Sequence, residues 1–194
     1  HSVLHFVSFE RYPLTQDALK RALLRWPELG PFTEQLVDQY PPLMKGVHRL
    51  VFNGGRVRLT LFFGELQDGL NQLPFCADAW FLDGFAPEHN PDMWTDEAIQ
   101  AVRNHSRPGT TFSTFTAVGR VRRALEAAGF EITKHPGFSR KREMIAGTLA
   151  HADSTSSPAT PLPEPVAIIG AGIAGTLLAR NLADRGIPVL LIDK

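Results

Sequence analysis

Hydrophobic and polar residues alternate along the chain in blocks that favour strands and helices in turn. The apolar runs "VLHFVSFE" (Val3–Glu10) and "DAWFL" (residues 78–82) predict two buried strands, the first of them parallel to its neighbour. Apolar residues at helical spacing in residues 14–23 predict an amphipathic helix, and a second helix is expected near Phe32–Tyr40. The first part of the chain is therefore expected to mix both element types.

Turn and cap residues complete this pattern. Asn53-Gly54 between two apolar runs predicts a hairpin, because its residues accept the positive φ values that a tight turn needs. Thr95 caps a predicted helix, Pro108-Gly109 turns into the strand "TTFSTF", and Gly129 ends a further helix. The segments that follow Gly129 predict a closing pair of strands.

Strands that alternate with helices predict an open α/β sheet. Ligands of such sheets bind beyond the carboxyl ends of the strands. Glu10, Glu65 and Asp83 each stand at, or just past, a predicted strand end. Three carboxylates on one edge favour a binding site over a solvated surface.

Residues 151–165, "HADSTSSPATPLPEP", contain four prolines and one large apolar residue, so they predict a linker. Residues 1–150 then form one domain and residues 166–194 begin another. The chain starts with His inside a predicted strand, and we expect it to be a fragment of a longer protein.

The last 29 residues contain a dinucleotide-binding pattern. The strand Val166–Ile169 leads into Gly170, Gly172 and Gly175 at GxGxxG spacing, and a second strand ends in Asp193. The glycines allow a tight turn and a close approach to a pyrophosphate, while the acid can accept hydrogen bonds from a ribose. The pattern alone leaves open FAD, NAD, or a glycine-rich turn without a nucleotide.

Composition and charge limit the kinds of partner and site that the chain can have. The formal net charge is zero, but residues 118–146 hold seven Lys/Arg against three Glu, which suits either a solvated surface or contact with an anion such as nucleic acid. Cys76 is the only cysteine, so a disulfide within the chain is excluded; we expect it in the core of a cytoplasmic protein. We expect no metal site and no membrane span.

The segment after Asp83 suits methyl transfer to an amine. An acid ending one strand can bind a ribose and an acid after the next strand an adenine edge, which fits Glu10 and Glu65. A carboxylate at Asp83 could hold the lone pair of an amine towards a sulfonium methyl group, with Phe85 against the base or the cation and Pro87 stiffening the loop. A carboxylate is too weak a base to deprotonate an alkylammonium efficiently, so orientation is the expected role. The alternative is a turn-capping aspartate.

The motifs "DAWFLDGFAPEHNPDMW", "FERYPLT" and "GFSRKREM" resemble the family of bifunctional tRNA 5-methylaminomethyl-2-thiouridine biosynthesis proteins (MnmC). The resemblance covers nearly the whole chain apart from the linker. It implies an S-adenosylmethionine-dependent methyltransferase joined to a FAD-dependent oxidoreductase. These would act on the wobble uridine of tRNA: the flavin half removes a carboxymethyl group, and the other half methylates the exposed amine.

By position, the resemblance implies that Glu10 binds ribose and that Asp83 lies beside the reacting amine. Glu65 stands where the family usually has Asp. Arg140, Lys141 and Arg142 would contact tRNA. The expected fold is an incomplete Rossmann-like methyltransferase sheet that lacks its first strand and glycine-rich loop, plus the opening βαβ unit of a FAD-binding domain. We therefore expect weak cofactor binding by this chain alone.

Two other functions remain open. One is a flavin- or NAD-dependent amine oxidase with a noncatalytic N-terminal region that binds substrate. The other is a noncatalytic tRNA-binding module. Transfer of a labelled methyl group from S-adenosylmethionine to undermodified tRNA distinguishes the first hypothesis from both.

Overall fold

A computed structural model describes residues 3–84, 90–137, 143–150, 166–169, 172–183, 187 and 189–192. The chain divides into two compact units, His1–Ala152 and Asp153–Lys194. Each unit is described by itself below.

A three-stranded sheet opens the first unit, in the order β1-β3-β2. β1 (Leu4–Glu10) runs parallel to β3 (Val57–Phe63), with Glu10 opposite Phe63, as the sequence predicted for this strand. β2 (Gly46–Phe52) is antiparallel to β3, and the predicted hairpin is confirmed. Asn53, Gly54 and Gly55 all have positive φ in its turn.

Two helices follow β1 and one follows β3. α1 (Gln16–Leu23) begins at Thr15, whose hydroxyl accepts a hydrogen bond of 3.2 Å from the Ala18 amide. α2 (Gly30–Gln39) supplies side chains that cover the small buried cluster of this sheet, and α3 (Leu66–Gln72) packs against β1. That cluster consists of Leu50, Leu61 and Phe63.

A four-stranded sheet holds most of the core. Its order is β4-β5-β7-β6, and only β4 and β5 pair in parallel. The strands are β4 (Ala77–Phe81), β5 (Ser106–Thr114), β6 (Phe130–Pro136) and β7 (Glu143–Leu149).

Two amphipathic helices bury their apolar faces against this sheet. α4 (Asp96–Asn104) begins at the predicted cap Thr95, whose hydroxyl accepts a 3.1 Å hydrogen bond from the Ala98 amide, and α5 (Gly119–Ala127) packs beside β6. The buried cluster comprises Leu82, Trp94, Ile99, Val102, Phe112, Val121, Leu125, Phe130, Ile145 and Leu149.

The predicted burial of β1 and β4 is wrong. Leu4 is 57% exposed, Phe6 47% and Phe81 71%. Within the described residues β1 pairs only with β3 and β4 only with β5, so one edge of each strand has no strand beside it. Side chains near such an edge lack the neighbours that would exclude water.

Two smaller expectations are also corrected. Cys76 is exposed, because it lies in the segment between α3 and β4, and connecting segments run over the surface. Pro108-Gly109 does not precede a strand but lies within β5, where the one residue between Ala77 and Ala79 of β4 lies opposite the four residues between Ser106 and Thr111 of β5. This bulge accommodates a proline that cannot donate to the ladder.

The second unit contains a βαβ arrangement. β8 (Val166–Ile169) and β9 (Val189–Ile192) pair in parallel, and α6 (Ile173–Ala183) connects them. Mixed α/β architecture with parallel pairing in both units confirms the predicted fold class.

Candidate active site

Two of the predicted carboxylates lie at one edge of the three-stranded sheet. Glu10 is the last residue of β1, and Glu65 follows β3 after a single glycine. The Gly64 amide donates a hydrogen bond of 3.0 Å to the Glu10 carbonyl, which fixes the two strand ends side by side. Only glycine suits this position, because its φ is +150° and an added Cβ would lie 2.9 Å from the Phe62 ring.

Glu10 faces a cleft of about 290 Å³ that Ser8, Tyr12, Leu36 and Tyr40 also line. The Ser8 hydroxyl donates a hydrogen bond of 3.0 Å to the Glu10 carboxylate. Partial burial, and then the negative charge of Glu10, raise the pKa of Tyr40 above its ordinary value. Tyr40 therefore stays a neutral phenol that can donate a hydrogen bond.

Arg11 connects this edge to the segment that follows Asp83. Its Nε lies 2.9 Å from Oε1 of Glu65, and its Nη1 lies 3.1 Å from Oδ2 of Asp92. The hydrogen bond to Asp92 is the main reason that the pKa of Arg11 is raised, so the guanidinium stays charged. Arg11 thus contacts a partner, Asp92, that lies 81 positions away in the sequence.

A second cleft, of about 510 Å³, opens beside Arg11. Its lining includes Tyr12, Lys45, Glu65 and Asp68. The volume lies in the range of ligand pockets, roughly 300–1,000 Å³, and carboxylates at its margin can accept hydrogen bonds from hydroxyl or amino groups. These residues fit a polar nucleoside.

Asp83 is exposed just beyond β4. The preceding Leu82 is buried, and its amide donates a hydrogen bond of 2.9 Å to the Ser113 carbonyl, which fixes the backbone beside Asp83. After it, Gly84 packs against Met93: an added Cβ would lie 2.6 Å from the sulfur. The strand end and the 3₁₀ turn Pro91–Trp94 therefore hold Asp83 from both sides.

The turn Pro91–Trp94 is anchored in the core. Trp94 is 1% exposed, and its ring meets Phe115 edge-on at a centroid distance of 6.4 Å. Trp80 is half-buried, and its indole N–H donates to Ser106 at 2.8 Å.

Several predicted site residues lie outside the described residues: Phe85, Pro87, Arg140, Lys141, Arg142, Gly170 and Asp193. Gly172 stands directly before α6, and Gly175 lies in its first turn. The Thr176 amide donates a hydrogen bond of 2.9 Å to the Gly172 carbonyl, so this glycine opens the helix. That placement suits a pyrophosphate at a helix N-terminus.

Part of the predicted basic segment is described. Arg120, Arg122 and Arg123 lie on α5, where Arg122 forms an ion pair of 3.7 Å with Glu126. Lys134 pairs with Glu143 at 3.0 Å. Some of the positive charge is thus balanced locally.

Arg11, Asp92 and Tyr40 lie in this region although no sequence pattern had indicated them. Arg11 directly follows a strand-end acid, which is a weak signal that it lies at the same edge. No spacing rule indicates that its partner lies 81 positions away. Among the described residues, no three His, Cys, Asp or Glu side chains converge as metal ligands, and no helix is long and apolar enough to cross a bilayer.

Comparison with known proteins defines the class. A family of S-adenosyl-L-methionine-dependent methyltransferases matches residues 27–150. The crystal structure of MNMC2 from Aquifex aeolicus superposes with a TM-score of 0.54 at 19% identity, over 80% of this chain and 57% of that one. Fold and sequence together define a Rossmann-like methyltransferase, and the chain belongs to this S-adenosyl-L-methionine-dependent methyltransferase family.

Individual relatives make the family assignment more specific. The tRNA 5-methylaminomethyl-2-thiouridine biosynthesis bifunctional protein MnmC of Marinobacter nauticus is 59% identical over the whole chain, which covers 31% of that relative. The protein of the same name from Ectopseudomonas mendocina is 48% identical over 98% of the chain and 30% of its own length. These matches confirm the resemblance that the motifs indicated. The chain spans about three tenths of the length of these relatives.

Proposed function

We propose that the protein to which this chain belongs methylates the amine of 5-aminomethyl-2-thiouridine at the wobble position of tRNA, with S-adenosylmethionine as donor. The product is 5-methylaminomethyl-2-thiouridine. The observation that carries the proposal is the 59% identity, over the whole chain, to a protein named for its part in the biosynthesis of this nucleoside. The strand-end carboxylates at Glu10, Glu65 and Asp83 support it.

In this proposal the donor occupies the edge formed by β1 and β3. Glu10 accepts hydrogen bonds from the ribose hydroxyls, and Glu65 accepts one from the adenine amino group. Glu65 lines the cleft of about 510 Å³ beside Arg11, which is large enough for a nucleoside. Glu10 lines the smaller cleft of about 290 Å³, and Tyr12 and Phe63 line both. When bound, S-adenosylmethionine supplies an electrophilic methyl group on a sulfonium.

Asp83 orients the acceptor. Its exposed carboxylate accepts a hydrogen bond from the substrate amine, which turns the nitrogen lone pair towards the methyl group. The N–C bond forms as the C–S bond breaks, and the amine proton leaves to water. Most of the barrier reduction then comes from alignment. We propose that Phe85 and Pro87 pack against the target base.

The basic residues of α5, together with Arg140, Lys141 and Arg142, are proposed to contact the tRNA backbone. Phosphate contacts supply affinity that does not depend on sequence. A tRNA substrate places the reaction in the cytoplasm.

The second unit is proposed to begin a FAD-dependent oxidoreductase domain that removes the carboxymethyl group before methylation. The parallel pair β8 and β9, with Gly172 and Gly175 at the start of α6, supports a dinucleotide. We propose Gly170 as the third glycine of the turn and Asp193 as the acceptor for the adenosine ribose. Residues 151–165 are proposed as the linker.

Asp83→Asn in the complete protein tests the assignment. We expect labelled methyl transfer from S-adenosylmethionine to undermodified tRNA to fall about 100-fold, because the amine loses its orienting charge, while donor affinity by calorimetry stays within about threefold. Asp78→Asn is the matched control, because Asp78 lies at the start of the same strand and pairs with Arg107.

If the turnover of Asp83→Asn stays within a few-fold of wild type, the assignment of Asp83 to the active site is wrong. A wild-type protein that transfers no label would instead favour the amine oxidase or the noncatalytic module.

A further inference from the structure

We propose that Arg11 is a positioning residue that holds the turn Pro91–Trp94, and with it Asp83, at a fixed place relative to the donor edge. The methylation part of this inference rests on the proposed function. The geometric part rests on contacts within the first unit alone.

The guanidinium uses two different nitrogen atoms for its two partners. Nε contacts Glu65 at 2.9 Å, and Nη1 contacts Asp92 at 3.1 Å. Because the guanidinium is planar and rigid, two such contacts fix both the separation and the relative orientation of the carboxylates. The Tyr12 ring, 5.3 Å from the guanidinium carbon, further restricts the side chain.

The position of Asp92 also restricts the position of Asp83. Asp92 precedes Met93, whose sulfur fills the space that a Cβ at Gly84 would need, and Gly84 is covalently joined to Asp83. Trp94 anchors the other end of the turn in the core. A shift of Asp92 therefore moves Met93 against Gly84, directly beside the carboxylate that meets the amine.

The solvent exposure of these side chains indicates that Arg11 contributes to the geometry of the site and not to the stability of the fold. The side chains of Arg11, Glu65 and Asp92 are 35%, 50% and 69% exposed. Ion pairs this open to solvent contribute little to the free energy of folding. Removal of Arg11 should thus leave stability nearly unchanged while it disturbs alignment, since an error of about 1 Å in position can lower a rate about 100-fold.

The experiment uses the complete protein and the variants Arg11→Ala, Arg11→Lys, Asp92→Asn and the double variant Arg11→Ala/Asp92→Asn. Arg107→Ala is the control, because Arg107 forms an exposed ion pair with Asp78 at the start of β4, away from the turn Pro91–Trp94. Four quantities are measured: kcat and KM for tRNA methylation, donor affinity by calorimetry, and hydrogen exchange of a peptide covering residues 90–95.

We expect Arg11→Ala to lower kcat about 10- to 100-fold with KM for tRNA within about threefold. Arg11→Lys should recover part of the loss, because an ammonium lacks the planar fork. Asp92→Asn should lower kcat without changing donor affinity, whereas Arg11→Ala should also weaken donor binding through Glu65. The double variant should be no slower than the slower single variant, as expected for one coupled unit.

Hydrogen exchange separates this inference from the proposed function. Faster exchange of residues 90–95 in Arg11→Ala, with exchange in Arg107→Ala as in wild type, supports positioning even if the wild type transfers no methyl group, an outcome that would sink the proposed function alone. Unchanged exchange overturns positioning, whether or not kcat falls. A kcat equal to that of Arg107→Ala overturns the catalytic role.

Discussion

The buried hydrophobic cluster of the four-stranded sheet, α4 and α5 has ten members, whereas the cluster of the three-stranded sheet has three, with Phe62 and Leu70 buried outside it. The two sheets also differ in what they carry. Glu10 ends β1 and Glu65 closely follows β3 in the thinly covered sheet, and Asp83 lies just beyond β4 in the well-packed one. Most of the buried core therefore lies in the sheet that carries Asp83, whereas the edge proposed to bind the donor lies on the sheet with the smaller core.

The largest expected effect tests which of the two sheets contributes more to the free energy of unfolding. Leu149→Ala removes a side chain that is 1% exposed, and we expect the free energy of unfolding to fall by about 3 kcal/mol because a cavity remains. Leu4→Ala at the start of β1 changes the same side chain at 57% exposure, and it should cost about 0.5 kcal/mol or less. Urea denaturation measures both, and equal losses would contradict the contrast between the sheets.

A smaller effect compares two helix caps of the same chemistry. Thr15 and Thr95 each accept a hydrogen bond from the third amide of their helix, at 3.2 and 3.1 Å. α4 buries Ala98, Ile99, Ala101 and Val102, but α1 buries no residue fully. Thr95→Ala should therefore cost about 1 kcal/mol of global stability, whereas Thr15→Ala should only fray α1.

Hydrogen exchange with denaturation distinguishes these outcomes. If Thr15→Ala lowered the unfolding midpoint as much as Thr95→Ala, α1 would belong to the cooperative core.

The smallest effect is a pH dependence in the three-stranded sheet. Partial burial and then Glu10 raise the pKa of Tyr40 above 10.0, so the folded protein holds this proton more tightly than the unfolded chain. The resulting stability is fully present below pH about 10 and is lost as the pH rises through the raised pKa. Tyr40→Phe should make the stability loss between pH about 9 and about 11 shallower.

Tyr12→Phe is the control for this measurement, because the Tyr12 ring is 71% exposed. Equal alkaline slopes in wild type and Tyr40→Phe, measured by urea denaturation at each pH, would show that the folded protein does not raise the pKa of Tyr40.

Local rules predicted much of the fold. The Asn53-Gly54 hairpin, the Thr95 cap and the positions of Glu10, Glu65 and Asp83 at strand ends all follow from patterns within about ten residues. Burial was harder to predict, because it depends on what lies beside a strand. Phe6 and Phe81 belong to apolar runs typical of interior strands, yet each is exposed at an edge without a neighbouring strand among the described residues.

The site shows the same division. An acidic residue at a strand end can be predicted from sequence, because a residue that directly follows a strand must lie at the edge of the sheet. The bridge from Arg11 to Asp92 cannot, because it depends on how two sheets are placed and on two flexible side chains. Pro108-Gly109 is an intermediate case: these residues indicate a break, but only the register with β4 shows that the break is a bulge inside β5.

In the part of the chain that the structure describes, β1 and β4 each have an edge without a neighbouring strand, which has a consequence for handling the chain. A strand with unsatisfied backbone groups and exposed apolar side chains is a template for adding another strand. Leu4, Phe6 and Phe81 supply those side chains here. Prepared by itself at high concentration, this chain should self-associate edge to edge, and solubilising charges placed on β1 or β4 would be the remedy to engineer first.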